Sequence, residues 1–444
     1  MAWASKPANL AGIDAPPTGS RRHSRFGNLR YERASSVRSV AVPQDVPCPC
    51  CRGPSFLSER FPRHIVQPQV TFRFLLFLLL GLLDIRLHAA ALPPRTSDLL
   101  FDRPRVLKIE LAIAPEQVAA LRAKPKDDVV ANLVENGQTY TNVDVHLKGL
   151  GSFRPIDQKP SFAIKFNEHV PGVRFHGQTR ILLENSSQDA TYLRRKLTAE
   201  LAVQAGLPAA RVTYATVELN GRKLGLYTLS EAMAKSFLAR NFGSSAGNLY
   251  EGSNADINGK LELDSGAEPD GAKNLQALIA ACAEPDLSRR FDRLASELDL
   301  PRFISFMAFE VLITHHDGYS VDLNNFRLYH DPSVRRFVFI PHGMDLVFDR
   351  PTVPLEPTWK GIAAKAVMET TEGRKQYRER AAELAKAIYG GETLLNRVNE
   401  LVKFLQPTIA ELPEAERKKF DAALATLQEN IRQRSRFVLR DTSN

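Results

Sequence analysis

The sequence predicts an α+β protein with two lobes, a strand-rich first lobe that contains one central helix and a second lobe that is mainly helical. Three observations lead to this prediction. Alternating apolar patterns recur over residues 105–230, one amphipathic helix interrupts them, and residues 361–444 have mainly helical periodicity. A ligand cleft between two such lobes is expected, but an α+β protein without a cleft would have the same pattern.

Each element of the first lobe has a local signal. Four segments have the alternation or apolar content of strands: VLKIELA, TYTNVDVHLK, SFAIKF and RILLENS. In the stretch DATYLRRKLTAELAVQAG, an N-cap at Asp189, leucines on one face and a terminal Gly206 predict the central helix. The Asn220-Gly221 pair between two alternating stretches predicts a hairpin, because both residues accept the positive φ of its turn.

In the second lobe, PRFISFMAFEVLI predicts a helix, and a second hairpin follows it. Apolar segments 326–330 and 336–340 flank an Asp-Pro turn. Folding this hairpin places Asn324 and Asn325, just before its first strand, beside the residues that follow its second strand.

Acidic side chains flank the second hairpin. Asp345 follows the second strand, and Asp317 lies one loop upstream of the first. Together with Asn325, they supply the hard oxygen ligands that Mg²⁺ accepts alongside substrate phosphates. Asp-Gly and Asn-Asn pairs are also ordinary turn formers, so these residues alone leave both interpretations open.

The charge of the chain is concentrated near its start. Residues 1–95 contain 13 Lys or Arg and 5 Asp or Glu, so they carry +8 of the formal net charge of +9. The nearly neutral remainder lacks the excess of basic residues that is typical of nucleic-acid-binding proteins. We therefore expect no DNA or RNA partner.

The first 91 residues predict export. Residues 1–69 are rich in Pro, Ser and Arg and are interpreted as disordered or as a spurious extension. Over residues 70–91, a charged start, a run of ten apolar or small residues and an alanine triplet are typical of a signal peptide. The run is too short to span a bilayer, and a membrane-associated internal helix is the alternative. Cleavage predicts a mature chain from Leu92, without a membrane span, in the periplasm, cell envelope or medium.

Long stretches of the chain resemble the spore-coat protein H (CotH) kinase family of atypical protein kinases. They are HLKGLGSFRPIDQKPSFAIKF, DATYLRRKLTAELAVQAG, GNLYEG, and DGYSVDLNNFRLYHDP followed by FVFIPHGMD. The resemblance covers about residues 105–440 and implies a divergent two-lobed protein-kinase-like fold that binds ATP with Mg²⁺ or Mn²⁺. It also implies phosphoryl transfer to Ser or Thr of an extracytoplasmic protein substrate.

The resemblance assigns roles in the second lobe. Asp317 matches the family's catalytic Asp, which orients or deprotonates the acceptor hydroxyl, and Asn325 and Asp345 match metal ligands. The family's metal motif is commonly Pro-Trp-Asp-x-Asp, whereas this chain has Pro-His-Gly-Met-Asp, which resembles a subfamily variant. One of the two acids is replaced by Gly343, so Asp345 is expected to serve alone.

The resemblance also assigns a phosphate-covering turn in the first lobe. Its residues are Lys148, Gly149, Gly151 and Ser152, and the glycines would let backbone amides approach phosphates closely.

Lys159 and Lys165 are rival candidates for the lysine that steadies the phosphates, and Lys159 is preferred because it starts the strand directly after the turn. Glu200 on the central helix is expected to pair with that lysine, as kinases require, or alternatively with Lys196 one helical turn away. Glu231 lies where a kinase hinge is expected and would reach adenosine, or it caps the next helix.

Two other functions stay open. A non-catalytic nucleotide-binding or surface-assembly module of the same fold is favoured by the missing second acid. A metal-dependent hydrolase would use His315, His316, Asp317 and His342, but adjacent histidines on an extended stretch point to opposite sides. The expected organisation is an N-terminal extension (1–69), a signal peptide (70–91), a strand-rich nucleotide-binding lobe (92–230), a catalytic lobe with the metal-site hairpin (231–360) and its C-terminal helical segment (361–444).

Overall fold

The structure, a computed structural model, describes residues 96–102, 105–267 and 271–441. The expected extension and signal peptide lie outside these residues. The strands are β1 (Val106–Ala112), β2 (Val129–Glu135), β3 (Gln138–Lys148), β4 (Ser161–Lys165), β5 (Arg180–Glu184), β6 (Val212–Leu219), β7 (Arg222–Glu231), β8 (Asn248–Gly252), β9 (Glu262–Ser265), β10 (Phe326–Asp331) and β11 (Arg336–Pro341).

Helices dominate the second half of the described chain. They are α1 (Thr96–Asp102), α2 (Pro115–Ala123), α3 (Arg194–Gln204), α4 (Lys235–Phe242), α5 (Gly271–Cys282), α6 (Leu287–Glu297), α7 (Leu300–Leu312), α8 (Tyr319–Asp322), α9 (Ile362–Glu369), α10 (Thr371–Tyr389), α11 (Thr393–Ala410) and α12 (Glu414–Asp441). The α+β class that the sequence predicted is confirmed. None of the helices in the described ranges combines the length and the apolar character needed to cross a lipid bilayer.

The first seven strands form a closed barrel in the order β1-β2-β3-β4-β5-β7-β6. The pairing of β1 with β6 is parallel, and the other neighbours are antiparallel. On β3, Val143, Val145 and Leu147 are fully buried, whereas the residues between them are partly exposed, so alternate side chains fill the interior. The sequence pattern had not predicted β2, and without β2 the closure of the barrel could not be predicted.

The predicted central helix and first hairpin are both present. The predicted N-cap at Asp189 is wrong, because the N-cap residue is Leu193, but the Asp189 carboxylate still accepts a hydrogen bond at 2.9 Å from the backbone N–H of Arg194, the first residue of α3. Just beyond α3, Gly206 has a φ of 78°, which ends the helix as expected. The turn between β6 and β7 has φ values of 48° at Asn220 and 80° at Gly221, the left-handed pair that this hairpin type requires.

The second sheet has the order β11-β10-β8-β9 and lies against α7, which is buried along most of its length. Phe303 and Phe306 of α7 contact Phe339 of β11, with ring centroids 4.6 and 5.5 Å apart. From α12, the fully buried Arg434 donates hydrogen bonds to the carbonyls of Val311 and Leu312 at the end of α7. A buried cation that satisfies terminal helix carbonyls makes α12 part of this core.

Candidate functional site

The β10–β11 hairpin brings together residues from before its first strand and after its second. Phe326 pairs with Pro341, and the backbone N–H of His342 donates to the carbonyl of Asn325 at 3.1 Å. Asn325 has a φ of 51°, a left-handed conformation that asparagine tolerates better than most residues. The predicted hairpin is thereby confirmed, and its ends form one wall of the candidate site.

Both asparagines hold Asp317. The side-chain amide of Asn325 donates to the Asp317 carboxylate at 2.7 Å and to its backbone carbonyl at 2.9 Å. The amide of Asn324 donates to the other carboxylate oxygen at 3.0 Å. Three hydrogen bonds from two neighbouring side chains thus fix the orientation of the Asp317 side chain.

Gly343 packs against the side chain of Asn325. Gly343 has a φ of 60°, and a Cβ built on it would lie 2.5 Å from Cγ of Asn325 and closer still to Oδ1. No other residue fits without moving Asn325, because real Cβ atoms do not approach so closely. Glycine at position 343 is therefore required by the position of Asn325.

Glu310, a buried acid of α7, holds the loop that carries Asp317. Its two carboxylate oxygens accept hydrogen bonds from the backbone N–H groups of Tyr319 (3.0 Å) and Ser320 (2.9 Å). A Cβ on Gly318 would overlap this carboxylate. Glu310 was not singled out from the sequence, although a charged residue within an otherwise apolar helix is a signal that could have identified it.

Four charged side chains lie beside the hairpin. Lys148 of β3 and Glu184 of β5 form an ion pair of 2.5 Å. Arg195, on the first turn of α3, lies 4.0 Å from Glu184 and 3.6 Å from Asp345. Burial opposes ionisation of Glu184, but Lys148 and Arg195 outweigh it and lower the pKa of this carboxyl to about 2. The barrel, α3 and the segment after β11 are thus joined by charge.

A cavity lies between the barrel, α3 and the hairpin. Its lining includes Glu184, Arg195, Arg327, His342 and Gly343. Burial, followed by the charge of Arg327, lowers the pKa of His342 well below its usual range, so this ring is neutral near pH 7. Sequence reasoning did not single out Glu184, Arg195 or Arg327, because nothing in their local pattern shows which cavity they line.

Two histidines of the hydrolase alternative, His315 and His342, lie in different surroundings. His315 is fully buried, with Nδ1 3.6 Å from Glu310, whereas His342 lines the cavity. Among the residues that the structure describes, no three His, Cys, Asp or Glu side chains are grouped so that they could hold a metal ion.

The rival lysines occupy different surroundings. Lys165 contacts Asp128 at 2.5 Å. The Lys159 ammonium donates to the Tyr192 hydroxyl at 3.0 Å and lies 5.1 and 5.3 Å from the ring centroids of Tyr192 and Tyr227. Burial lowers the pKa of Lys159 to about 8. Neither lysine lines the cavity described above, whereas Lys148 contacts a residue that does.

Glu200 does not pair with Lys159 or Lys165. Its carboxylate lies 3.2 Å from Lys196, one turn earlier on α3, and 2.8 Å from Arg397 of α11. The alternative pairing with Lys196 is therefore the one that forms.

Glu231, at the end of β7, has a buried carboxylate between two arginines. It lies 2.9 Å from Arg211 and 2.6 Å from Arg240. Although Glu231 also lines the cavity, its carboxylate oxygens are engaged by these guanidinium groups rather than by the N-terminus of α4.

The glycine-rich turn after β3 is held against the segment that follows β5. Gly149 has a φ of 109°, and a Cβ there would lie 2.8 Å from Oγ of Ser152. The carbonyl of Ser152 accepts a hydrogen bond from the Asn185 side chain at 3.0 Å. Gly151 lies beside Gln188, and a Cβ built on Gly151 would lie 3.4 Å from the side-chain amide nitrogen of Gln188. Glycine is thus required at position 149 by backbone conformation.

Known proteins are similar to this chain in sequence. Invasin CotH2 of Rhizopus delemar is 24% identical over 327 residues, which cover 64% of this chain and 54% of the invasin. Inner spore coat protein H of Bacillus subtilis is 20% identical over 338 residues, which cover 70% of this chain and 90% of that protein. The chain thus spans about half the length of the invasin and most of the coat protein.

Two solved structures align with the chain. The Helicobacter pylori proinflammatory kinase CtkA has a TM-score of 0.29 and 9% identity, over 61% of this chain and 93% of CtkA. HipA from a Shewanella oneidensis toxin–antitoxin complex has a TM-score of 0.32 and 13% identity, over 74% of this chain and 82% of that one.

The sequence model of the family described as "CotH kinase protein" matches residues 145–438. This match begins within β3 and ends within α12, and it includes Lys148, Asp317 and Asp345. Because the match extends over more than half of the chain, this protein belongs to the CotH kinase family.

Proposed function

We propose that this chain is an atypical protein kinase that transfers the γ-phosphoryl group of ATP to Ser or Thr of proteins outside the cytoplasm. The observation that carries the proposal is the meeting of Asp317, Asn325 and the segment before Asp345 at one hairpin, beside the Lys148–Glu184 ion pair. Membership of the CotH kinase family supports the same function. The fold that we infer is kinase-like and two-lobed, with the barrel as the nucleotide-binding lobe.

The donor set around the hairpin fits one Mg²⁺ or Mn²⁺ ion. The Asn325 amide nitrogen donates to Asp317 and its oxygen lies against Gly343, and Asp345 is the first acid in the sequence after the second strand. Hard oxygen ligands from one or two side chains, completed by phosphates, are the usual magnesium site. The ion would neutralise phosphate charge.

The side chains divide the remaining work. Asp317, fixed by both asparagines, accepts the hydrogen bond of the acceptor hydroxyl and orients it. Lys148 contacts the phosphates while Glu184 holds its ammonium group, in the way that kinases use a lysine–glutamate pair. The turn at Gly149, Gly151 and Ser152 covers the phosphates.

The remaining nucleotide contacts are ranked by their surroundings. Lys159 remains the preferred additional lysine over Lys165, because it lies closer in sequence to the glycine-rich turn. Glu231 lines the cavity at the end of β7, where the adenosine would enter. Glu200 contributes through α3, whose position it fixes by its contact with Arg397.

The location of the protein rests on the segment 70–91 and on its relatives. The charged start, apolar run and alanine triplet support export. The relative named inner spore coat protein H supports a site of action outside the cytoplasm.

One experiment tests the proposed activity. Purified protein is incubated with γ-labelled ATP and Mg²⁺ or Mn²⁺, alone and with extracts of envelope proteins, and the Asp317→Ala variant is the control. Labelled Ser or Thr that depends on the metal and on Asp317 is the expected result. Absence of label together with absence of ATP binding would overturn the proposal.

A non-catalytic module is the second candidate, and Gly343 is the observation that favours it. Glycine removes one of the two acids common in the family, and the contact with Asn325 fixes it there. ATP binding by calorimetry without any labelled product would select this candidate.

A further inference from the structure

Arg195 differs from the other arginines around it in how loosely it is bound. It lies on the first turn of α3, lines the cavity, and has a side chain that is 18% exposed. Its neighbour Arg194 donates to Asp349 at 2.7 Å. Arg327, on the opposite wall, donates to Glu251 and Asp264 at 2.8 and 2.7 Å.

By contrast, among the described residues the polar side-chain contacts of Arg195 are ion pairs of 3.6 Å with Asp345 and 4.0 Å with Glu184. Both distances exceed that of a normal N–H···O hydrogen bond. The two carboxylates therefore hold the guanidinium in place by charge, while its N–H donors stay available for a ligand. A planar guanidinium with free donors matches the geometry of phosphate oxygens.

The surroundings of Arg195 also favour an anion. Glu184 is already paired with Lys148 at 2.5 Å, and Gly343, which lines the same cavity, carries no charge. Asp345 is the remaining acid in contact with the guanidinium, among the residues that the structure describes. A terminal phosphate placed next to Asp345 would thus meet a cation whose hydrogen bonds are unused.

We propose that Arg195 binds the terminal phosphate of ATP directly and supplies positive charge beside Asp345. This inference rests on the proposed kinase function, because it names a phosphate contact within that site. The role would be specific to ATP over ADP, since only the terminal group distinguishes them.

The test compares ATP, ADP and adenosine binding by calorimetry in the presence of Mg²⁺. Arg195→Gln should lower ATP affinity by roughly tenfold or more, the scale of a hydrogen bond between charged partners, with little change for adenosine. Lys196→Gln is the matched control, because this side chain is also 18% exposed and on the same helix but pairs with Glu200. The control should retain the affinity for all three ligands.

Different failures have different meanings. Wild-type protein that binds no ATP would overturn both the proposed function and this inference. If the wild type binds ATP and Arg195→Gln has the same ratio of ATP to ADP affinity as the wild type, the inference alone would be overturned. This holds even if the variant needs more Mg²⁺ because Asp345 has moved. If Arg195→Gln does not fold, Arg195→Lys is measured instead. A ratio of ATP to ADP affinity as high as in the wild type would then contradict a phosphate contact that requires the guanidinium group.

Discussion

The Asn325 amide donates to the Asp317 carboxylate at 2.7 Å, and its oxygen lies against Gly343. Asp317 is thus engaged by the amide nitrogen of Asn325, whereas Asp345 lies two residues beyond Gly343 in the sequence and contacts Arg195. We expect the two acids to perform different tasks.

Asp345→Ala should abolish metal-dependent ATP binding and all phosphoryl transfer, because it removes the acid proposed to hold the ion. Asp317→Ala should retain ATP and metal binding, while transfer falls roughly a hundredfold or more, the scale of lost general-base catalysis. Transfer depends mainly on positioning and charge neutralisation, so the loss of the metal ligand is the harsher change. Labelled-phosphate assays and ATP-induced thermal shifts measure both effects. Equal loss of metal binding in the two variants would merge their roles.

Gly343→Ala should destabilise the protein and weaken ATP binding, because the new Cβ displaces Asn325. Gly391→Ala is the matched control: Gly391 has a similar φ of 69°, and nothing lies within 4 Å of its Cβ position. The control should cost about 1 kcal/mol of unfolding free energy for the left-handed backbone alone. Urea denaturation measures both variants. If the two lose the same stability and both keep ATP affinity, the contact with Asn325 has no role.

Glu310→Ala should lower the free energy of unfolding by about 2 kcal/mol or more, because two buried N–H groups, of Tyr319 and Ser320, lose their acceptors. Transfer should fall more than ATP affinity does, since the loop that carries Asp317 is the part released. Glu310→Gln retains one acceptor oxygen and should recover part of the stability. A variant with unchanged transfer would show that Asp317 is fixed by the asparagines alone.

The lowered pKa of Lys159 predicts that the free energy of unfolding depends on pH. Burial lowers its folded pKa from 10.5 to about 8, so between these values the unfolded chain binds a proton that the folded chain releases. The contribution of Lys159 to the free energy of unfolding therefore rises with pH from about 8 to 10.5. Below about pH 8, this contribution is unfavourable and constant. Lys159→Met should remove this slope, worth at most about 3 kcal/mol. Urea unfolding of wild type and variant across the window measures the difference.

Lys165→Met is the control for this pH effect and also ranks the two lysines for nucleotide binding. It should leave the slope between pH 8 and 10.5 in place, because the slope arises at Lys159. In ATP-induced thermal shift, Lys159→Met should reduce the shift more than Lys165→Met. The reverse order would make Lys165 the nucleotide lysine.

The mature chain should begin near Leu92, as the signal-like segment 70–91 predicts. Mass spectrometry of the cell-envelope fraction checks this by searching for peptides from either side of the cleavage position. Abundant peptides from residues 20–60 would contradict both the cleavage and the interpretation of the first 69 residues as spurious.

Local signals predicted those parts of the fold that local physics determines. The Asn220-Gly221 turn and the β10–β11 hairpin were predictable because turn chemistry acts between neighbours. The closed barrel was not, since its parallel β1–β6 pairing joins strands about a hundred residues apart. The seven residues of β2 also include Asn132, which weakens their strand pattern.

The candidate site shows the same division. Asp317 and Asn325 lie eight residues apart, joined by the short segment that contains α8, so their contact is local in the sequence. The partners of Glu200 and Arg195 are not local, because Arg397 and Asp345 lie 197 and 150 residues further along the chain. Which acid pairs with which cation is set by packing between distant elements, and a local pattern does not contain that information.

The contact between Gly343 and Asn325 also constrains how this protein can change over evolutionary time. A side chain cannot be introduced at position 343 by one substitution without displacing Asn325, the residue that holds Asp317. Position 325 would have to become smaller first, and that intermediate would lose the hydrogen bonds to Asp317. A side chain at position 343 and an asparagine at position 325 therefore exclude each other in this fold.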